Sequence, residues 1–411
     1  MYQYHTLRNG IRIIFRQNTS HVVYTGIYIN AGSRDEHSKA EEGIAHFIEH
    51  SLFKGTKRRH SHHIRNRIDG VGGELDAFTT KEETCIYATA LSQHWERCPE
   101  LLSDILFHST FPPNEIEKEK DVVIEEINLY KDSPAELIYD DFEEMIFGDH
   151  PLAHNILGSK KNVRHFSSPQ LAEFLHRNYT PDRIVISIVG NLDFKKVVRL
   201  CEKHFEETID SPAGISAGHQ QNAPAVAYRH FNTTVHKRTH QVHLLMGCPA
   251  PHIFDNRKNA FSLLNNILGG PAMNSRLNVS VRENQGFCYT IESQYVPFSD
   301  AGLFYIYAGV DNGAAERSTQ LIFSELRKLR ERRLTPRQLH AAQQQLIGQI
   351  AITNDSGLNE MQSIGKAYLN FDHVDTLEEI NRDILAVTPE EIQEVAQEIL
   401  AEEHFSLLYY K

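Results

Sequence analysis

The chain has 411 residues, enough for two or three domains, and its 40% hydrophobic and 23% charged residues support a sizeable core and exclude long disorder. Its 42 basic and 54 acidic residues leave a net charge of -12, which disfavours nucleic acid as a partner, because such binders carry a basic face. No apolar run approaches the ~20 residues of a membrane-crossing helix, no secretory signal opens the chain, and the five cysteines are scattered without a CxxC pair. A soluble, cytoplasmic protein without a membrane partner is therefore expected.

After an Asn9-Gly10 turn, residues 11–15 and 22–30 read as strands joined by a polar turn. From Glu41 the pattern becomes helical, with Ile44, Phe47, Ile48 and Leu52 on one stripe. The basic, His-rich run 57–63 reads as an exposed loop entering a second helix at 60–70, which Asp69-Gly70 and Gly72-Gly73 stop. Strands at 75–80 and 84–91 follow, then a helix around 93–108. Pro112-Pro113-Asn114 opens a long helix at about 115–131. The β-branched run 183–190 is a further strand. The small, polar stretch 208–225 reads as a linker between domains at 1–207 and 226–411. Ser168-Pro169 opens a helix that precedes the 183–189 strand, and Thr388-Pro389 opens one that precedes a strand at 404–410. That correspondence suggests two copies of one fold.

The chemistry gathers on the first helix. His46 and His50 are one turn apart on one face, so both imidazoles reach a single metal ion without bending the backbone. Zinc suits such ligands and takes a third protein ligand plus water. Glu49 stands beside that face, placed to take a proton from water. The order His-x-x-Glu-His is the inverted form of a common zinc-peptidase motif. A third ligand is expected on another rigid element. Glu119 and Glu126, two turns apart on the 115–131 helix, share a face with Val122 and Leu129. Spacing alone leaves them as either a solvated acidic edge or part of a site.

The combined segments resemble the inverted-motif zinc peptidases that include pitrilysin, insulin-degrading enzyme and mitochondrial processing peptidase, and among them the short two-domain bacterial members. The resemblance rests on Ala31-Gly32-Ser33-Arg34-Asp35-Glu36, Gly43-Ile44-Ala45-His46-Phe47-Ile48-Glu49-His50, Phe53-Lys54-Gly55-Thr56 and Gly72-Gly73-Glu74-Leu75-Asp76-Ala77-Phe78-Thr79. It continues through Glu119 and Glu126, His150-Pro151-Leu152, Gly158, Tyr179-Thr180-Pro181 and Val189-Gly190-Asn191. It implies an α+β fold of two homologous domains, each a mostly antiparallel sheet with helices packed on one face. It implies one zinc ion per chain on His46, His50 and Glu126, with Glu49 as general base and Glu119 supporting the site from behind the ligands.

Arg282 and Tyr289, which alone would read as a buried salt bridge and a core tyrosine, match the family's pair facing the substrate carbonyl. Asp76, Ala77, Phe78 and Thr79 match the edge strand on which a substrate peptide pairs as an added strand. Asp76 stands where many relatives carry Asn, a change expected to favour basic side chains nearby. The implied activity is endopeptidase cleavage of unfolded peptides in an enclosed chamber. Four such domains enclose a chamber and this chain has two, so a homodimer with shared active sites is expected. A non-catalytic structural or assembly subunit of the same fold is the rival; such subunits typically lose zinc-site residues, and this chain keeps all four. A metal-storage protein is a third reading and would show a closed coordination shell.

Overall fold

The computed structural model describes residues 1–206 and 226–411; the expected linker at 208–225 lies outside the described residues. Two compact units are present. The first comprises Met1–Leu129, 154–206 and Ile352–Val374; the second comprises Tyr130–Ala153, 226–351 and Asp375–Lys411. Each unit thus includes a segment from the other half of the sequence.

The first unit holds strands β1 (Tyr2–Thr6), β2 (Arg12–Gln17), β3 (Val22–Ile29), β4 (Glu74–Thr79), β5 (Thr84–Leu91) and β6 (Ile184–Gly190) in one sheet of order β1-β2-β6-β3-β5-β4. Only β2 and β6 run parallel. β1 is an addition to the sequence reading: its residues look like a polar lead-in, and pairing with β2 is what makes them a strand. The second unit holds β7 (Asn232–Val235), β8 (Val242–Pro249), β9 (Cys288–Pro297), β10 (Gly302–Val310) and β11 (Ser406–Tyr410) in the order β7-β11-β8-β10-β9. Only β11 and β7 are parallel there. With β1 set aside, the strands of both sheets, taken in chain order, fill the same places, and the parallel pair is first with last in each. The chain is a duplicated α+β fold.

Strand alternation explains how each sheet is covered. In the first unit, Ile13, Phe15, Ile27, Ile86 and Ile186 face a core with α1 (Ile44–Leu52), α2 (Ser61–Asp69) and α3 (Arg97–His108). The helix α4 (Pro113–Lys131) joins that core through Ile116, Val123 and Ile127. The alternate residues Ile14, Tyr28, Val185 and Val189 pack against Met361 and Ile364 of the helix Gly357–Phe371. In the second unit, Leu244, Met246 and Ile306 face the helices Lys258–Gly269 and Pro389–Ile399. There Leu245, Tyr305 and Leu408 meet Ile138, Phe142 and Ile146 of the helix Pro134–Phe147. Among the described residues no helix is long and apolar enough to cross a membrane, and all five cysteines are buried and free.

Candidate metal centre

Helix α1 is fixed before it is functional. Ile44, Phe47, Ile48 and Leu52 are fully buried, each contributing about 1.5–3 kcal/mol of hydrophobic stabilisation. The helix begins at Ile44 rather than at Glu41 because Gly43 adopts φ 94, a left-handed conformation that breaks the helical path. A Cβ at Gly43 would also lie 2.7 Å from the Leu157 carbonyl oxygen. The first-turn N–H groups, which have no partner within a helix, are met by Glu36, whose Oε1 accepts from Gly43 N at 3.0 Å and Ala45 N at 3.2 Å. His46, Glu49 and His50 therefore project from a helix held by its core face and its start.

Helix α4 supplies the facing carboxylates. His50 Nδ1 lies 2.9 Å from Glu119 Oε1, His50 Nε2 lies 3.3 Å from Glu126 Oε2, and His46 Nε2 lies 3.8 Å from Glu126 Oε1. Donor atoms of His46, His50 and Glu126 all fall within 4.8 Å of one another. Tetrahedral ligands of one zinc ion stand about 3.4 Å apart, given bonds near 2.1 Å, so the spacing fits. The chemistry fits too. Glu126 Oε2 approaches His50 without an aligned hydrogen bond, and it and Glu49 Oε2 are buried polar atoms with no hydrogen-bond partner. Buried groups left in that state are costly, and a cation held by the two imidazoles and Glu126 offsets that cost. The sequence-expected Glu119 stands behind His50, and the expected Glu49 stands beside the donors.

Electrostatics are consistent with this division. Burial, then the charge of neighbouring His50, push the His46 imidazole down to about 4. Burial also opposes charge on His50, but the carboxylates of Glu119 and Glu126 outweigh it and hold His50 at about 9. Glu126 sits below the ordinary carboxylate range because of His50. Burial would raise Glu119, yet His50 and Lys54 outweigh it and hold its carboxyl low. Glu49 is pushed up, mainly by burial. A carboxyl so raised is suited to taking and returning a proton.

Strand β4 is the free edge of its sheet. Thr80 N bonds Glu83 O at the hairpin end, which makes Phe78↔Cys85 and Asp76↔Tyr87 hydrogen-bonded pairs and turns the backbone groups of Leu75, Ala77 and Thr79 outward. The outward N–H of Ala77 donates to Asp76 Oδ1 at 2.8 Å, and Tyr87 Oη donates to Asp76 Oδ2 at 3.1 Å.

Arg282 and Tyr289 lie in the second unit. Arg282 belongs to a π-helical turn, Asn278–Glu283, a geometry frequent at functional sites. Its Nη1 donates to Asn278 Oδ1 at 3.3 Å, and Asn278 donates in turn to the Met273 carbonyl. Tyr289, on edge strand β9, is 83% exposed. The two residues line one polar cavity of 210 Å³ with Ser275, Asn278 and Glu292. They are neither a buried salt bridge nor a core tyrosine. Sequence reasoning did not single out Glu36, Lys54 or Asn278; Lys54 alone had a signal, four positions after His50.

Comparison with known proteins places this arrangement. Residues 12–160 match the family model described as Insulinase (Peptidase family M16), and residues 165–346 match the one described as Peptidase M16 inactive domain. An uncharacterized zinc protease of Bacillus subtilis, YmxG, is 34% identical over 408 residues, covering 98% of this chain and 97% of that protein. The chain belongs to peptidase family M16. A second relative, an uncharacterized zinc protease of Streptomyces coelicolor, is 32% identical over 403 residues, with 96% of this chain and 86% of that protein covered. The fold matches the crystal structure of a protease from Helicobacter pylori with a TM-score of 0.92 at 21% identity, over 100% of this chain and 99% of the other. It matches an M16 inactive-domain structure from Pseudomonas fluorescens with a TM-score of 0.91 at 20% identity, over 100% and 97%. His46, Glu49, His50, Glu119 and Glu126 all fall within the segment matched to the insulinase model, and Arg282 and Tyr289 within the other.

Proposed function

We propose that this protein is a zinc-dependent endopeptidase, with His46, His50 and Glu126 as metal ligands and Glu49 as general base. The observation that carries the reading is the convergence of these three donors within 4.8 Å, beside a buried Glu49 oxygen that has no other partner. When bound there, zinc supplies Lewis acidity, acidifying water and polarising a peptide carbonyl. Glu49 takes the proton from the attacking water and passes it to the leaving amine. Glu119 orients His50. Arg282 and Tyr289 donate to the developing oxyanion. The peptide aligns as an added strand on β4, through outward groups of Leu75, Ala77 and Thr79, and Asp76, Phe78 and Thr79 shape its preference.

Each chain carries both the metal donors and the Arg282–Tyr289 pair, so a homodimer completes two equivalent active sites, each taking its zinc ligands from one chain and that pair from the other. An enclosed chamber of this kind selects unfolded peptides over folded proteins, and we place the protein in the cytoplasm. Zinc content of the purified protein, measured together with peptide cleavage before and after chelation, tests the proposal. About one zinc per chain and chelator-sensitive cleavage support it; cleavage that survives complete metal removal contradicts it.

A further inference from the structure

We propose that Lys54 is a positioning residue of the metal centre: it fixes the Glu119 carboxylate, which holds His50 with Nδ1 donating and Nε2 directed at the metal. The inference rests on the zinc-site reading above and names a residue that reading does not use.

Glu119 divides its two oxygens between two partners. Oε1 faces His50 Nδ1 at 2.9 Å, and Oε2 faces Lys54 Nζ at 2.5 Å. The Glu119 side chain is only 6% exposed and that of Lys54 20%, so the pair is shielded from the solvent that makes surface ion pairs weak. Lys54 does not reach in from a loose loop. Its N–H donates to Ser51 O at 3.1 Å, and the next residues are tied down by β-bridges Gly55↔His60 and Thr56↔Ser109. Thr56 Oγ1 adds a bond of 2.9 Å to Asp104 Oδ2. The turn that ends α1 therefore delivers the ammonium to one place.

The two imidazoles differ in this respect. His46 Nδ1 is buried without a hydrogen-bond partner, whereas His50 Nδ1 has Glu119. Orientation from behind the ligands is thus concentrated on His50, and it depends on one carboxylate. Without Lys54, that carboxylate keeps an unpaired oxygen and can rotate away from His50. With Lys54 in place, both oxygens are fixed and the charge of Glu119 is balanced. This role differs from a merely structural salt bridge because it passes through Glu119 to the metal.

The test is zinc affinity, measured by competition with a chromophoric chelator on the full-length protein, with the Tm of each metal-free variant as the fold control. Lys54→Met is expected to weaken zinc binding about 10–100-fold, the usual effect of losing a group behind the ligands, while Lys54→Arg stays within about threefold. In a Glu119→Gln background, Lys54→Met is expected to cost little more, because the path is already cut. Wild-type affinity in Lys54→Met, or effects of Lys54→Met and Glu119→Gln that simply add, overturns the proposal and leaves the zinc-site reading standing. A wild-type protein that binds no zinc overturns both.

Discussion

The Asp76 carboxylate accepts the backbone N–H of Ala77 at 2.8 Å and so occupies an outward donor of edge strand β4. An added peptide strand needs that donor and has to displace Asp76 to use it. Asp76→Ala removes the competitor. For neutral peptides KM is expected to fall up to about fivefold, the equivalent of one hydrogen bond of about 1 kcal/mol, with kcat little changed. The same variant loses relative activity towards peptides with a basic side chain near the displaced carboxylate. Steady-state kinetics on a neutral and a basic peptide check both; unchanged KM for the neutral peptide contradicts the competition.

Gly43 is where the backbone turns into the motif helix. With φ at 94 and the Leu157 carbonyl oxygen 2.7 Å from a Cβ position, Gly43→Ala is expected to destabilise the protein by at least ~1–2 kcal/mol, a Tm loss of roughly 3–8 °C. Zinc affinity should fall with it, because the ligands His46 and His50 follow this start. An unchanged Tm would show that the turn relaxes freely.

Glu41 anchors the approach to the same helix. Arg177 Nη2 donates to it at 2.9 Å, and His37 N donates at 2.8 Å. Burial works against the Glu41 charge, but these bonds outweigh it and hold the carboxyl below the ordinary range. A carboxyl lowered by folding stabilises the fold above its unfolded value of about 4.3, and that contribution is lost as pH falls through the folded value. Glu41→Gln should therefore show a shallower loss of Tm than wild type between about pH 5 and 3. Parallel Tm curves over that range would remove Glu41 from the acid response.

The proposed dimer makes a stoichiometric prediction. Arg282→Ala and Glu49→Gln proteins are each expected to be nearly inactive. Mixed in equal amounts and allowed to exchange subunits, they should regain about a quarter of wild-type activity, since half the dimers are mixed and each has one intact site. No recovery after demonstrated exchange contradicts shared sites.

Much of the site is legible in sequence because it depends on local periodicity. The spacing of His46, Glu49 and His50 sets a helix face, and the spacing of Glu119 and Glu126 sets another. That the two faces meet, with His50 between Glu119 and Glu126, is a tertiary fact. The other features that escaped reading are also non-local. Residues 2–6 are a strand only because β2 pairs with them. The partnership of Lys54 with Glu119 joins residues 65 positions apart. The helix Gly357–Phe371 covers the first sheet through Met361 and Ile364, and an amphipathic pattern does not say which sheet will receive it. The Asp76–Ala77 bond is local, but it matters only because β4 is an edge, which sequence order does not reveal.

The most direct test of the central claim is the peptide-hydrolysis rate of metal-free protein as zinc is added back, for wild type and Glu49→Gln in parallel. The wild-type rate should rise from near zero and level off at about one zinc per chain. Glu49→Gln should bind the same amount of zinc and hydrolyse about 10²–10⁴-fold more slowly. A rate independent of zinc, or equal rates in the two proteins, would contradict the account.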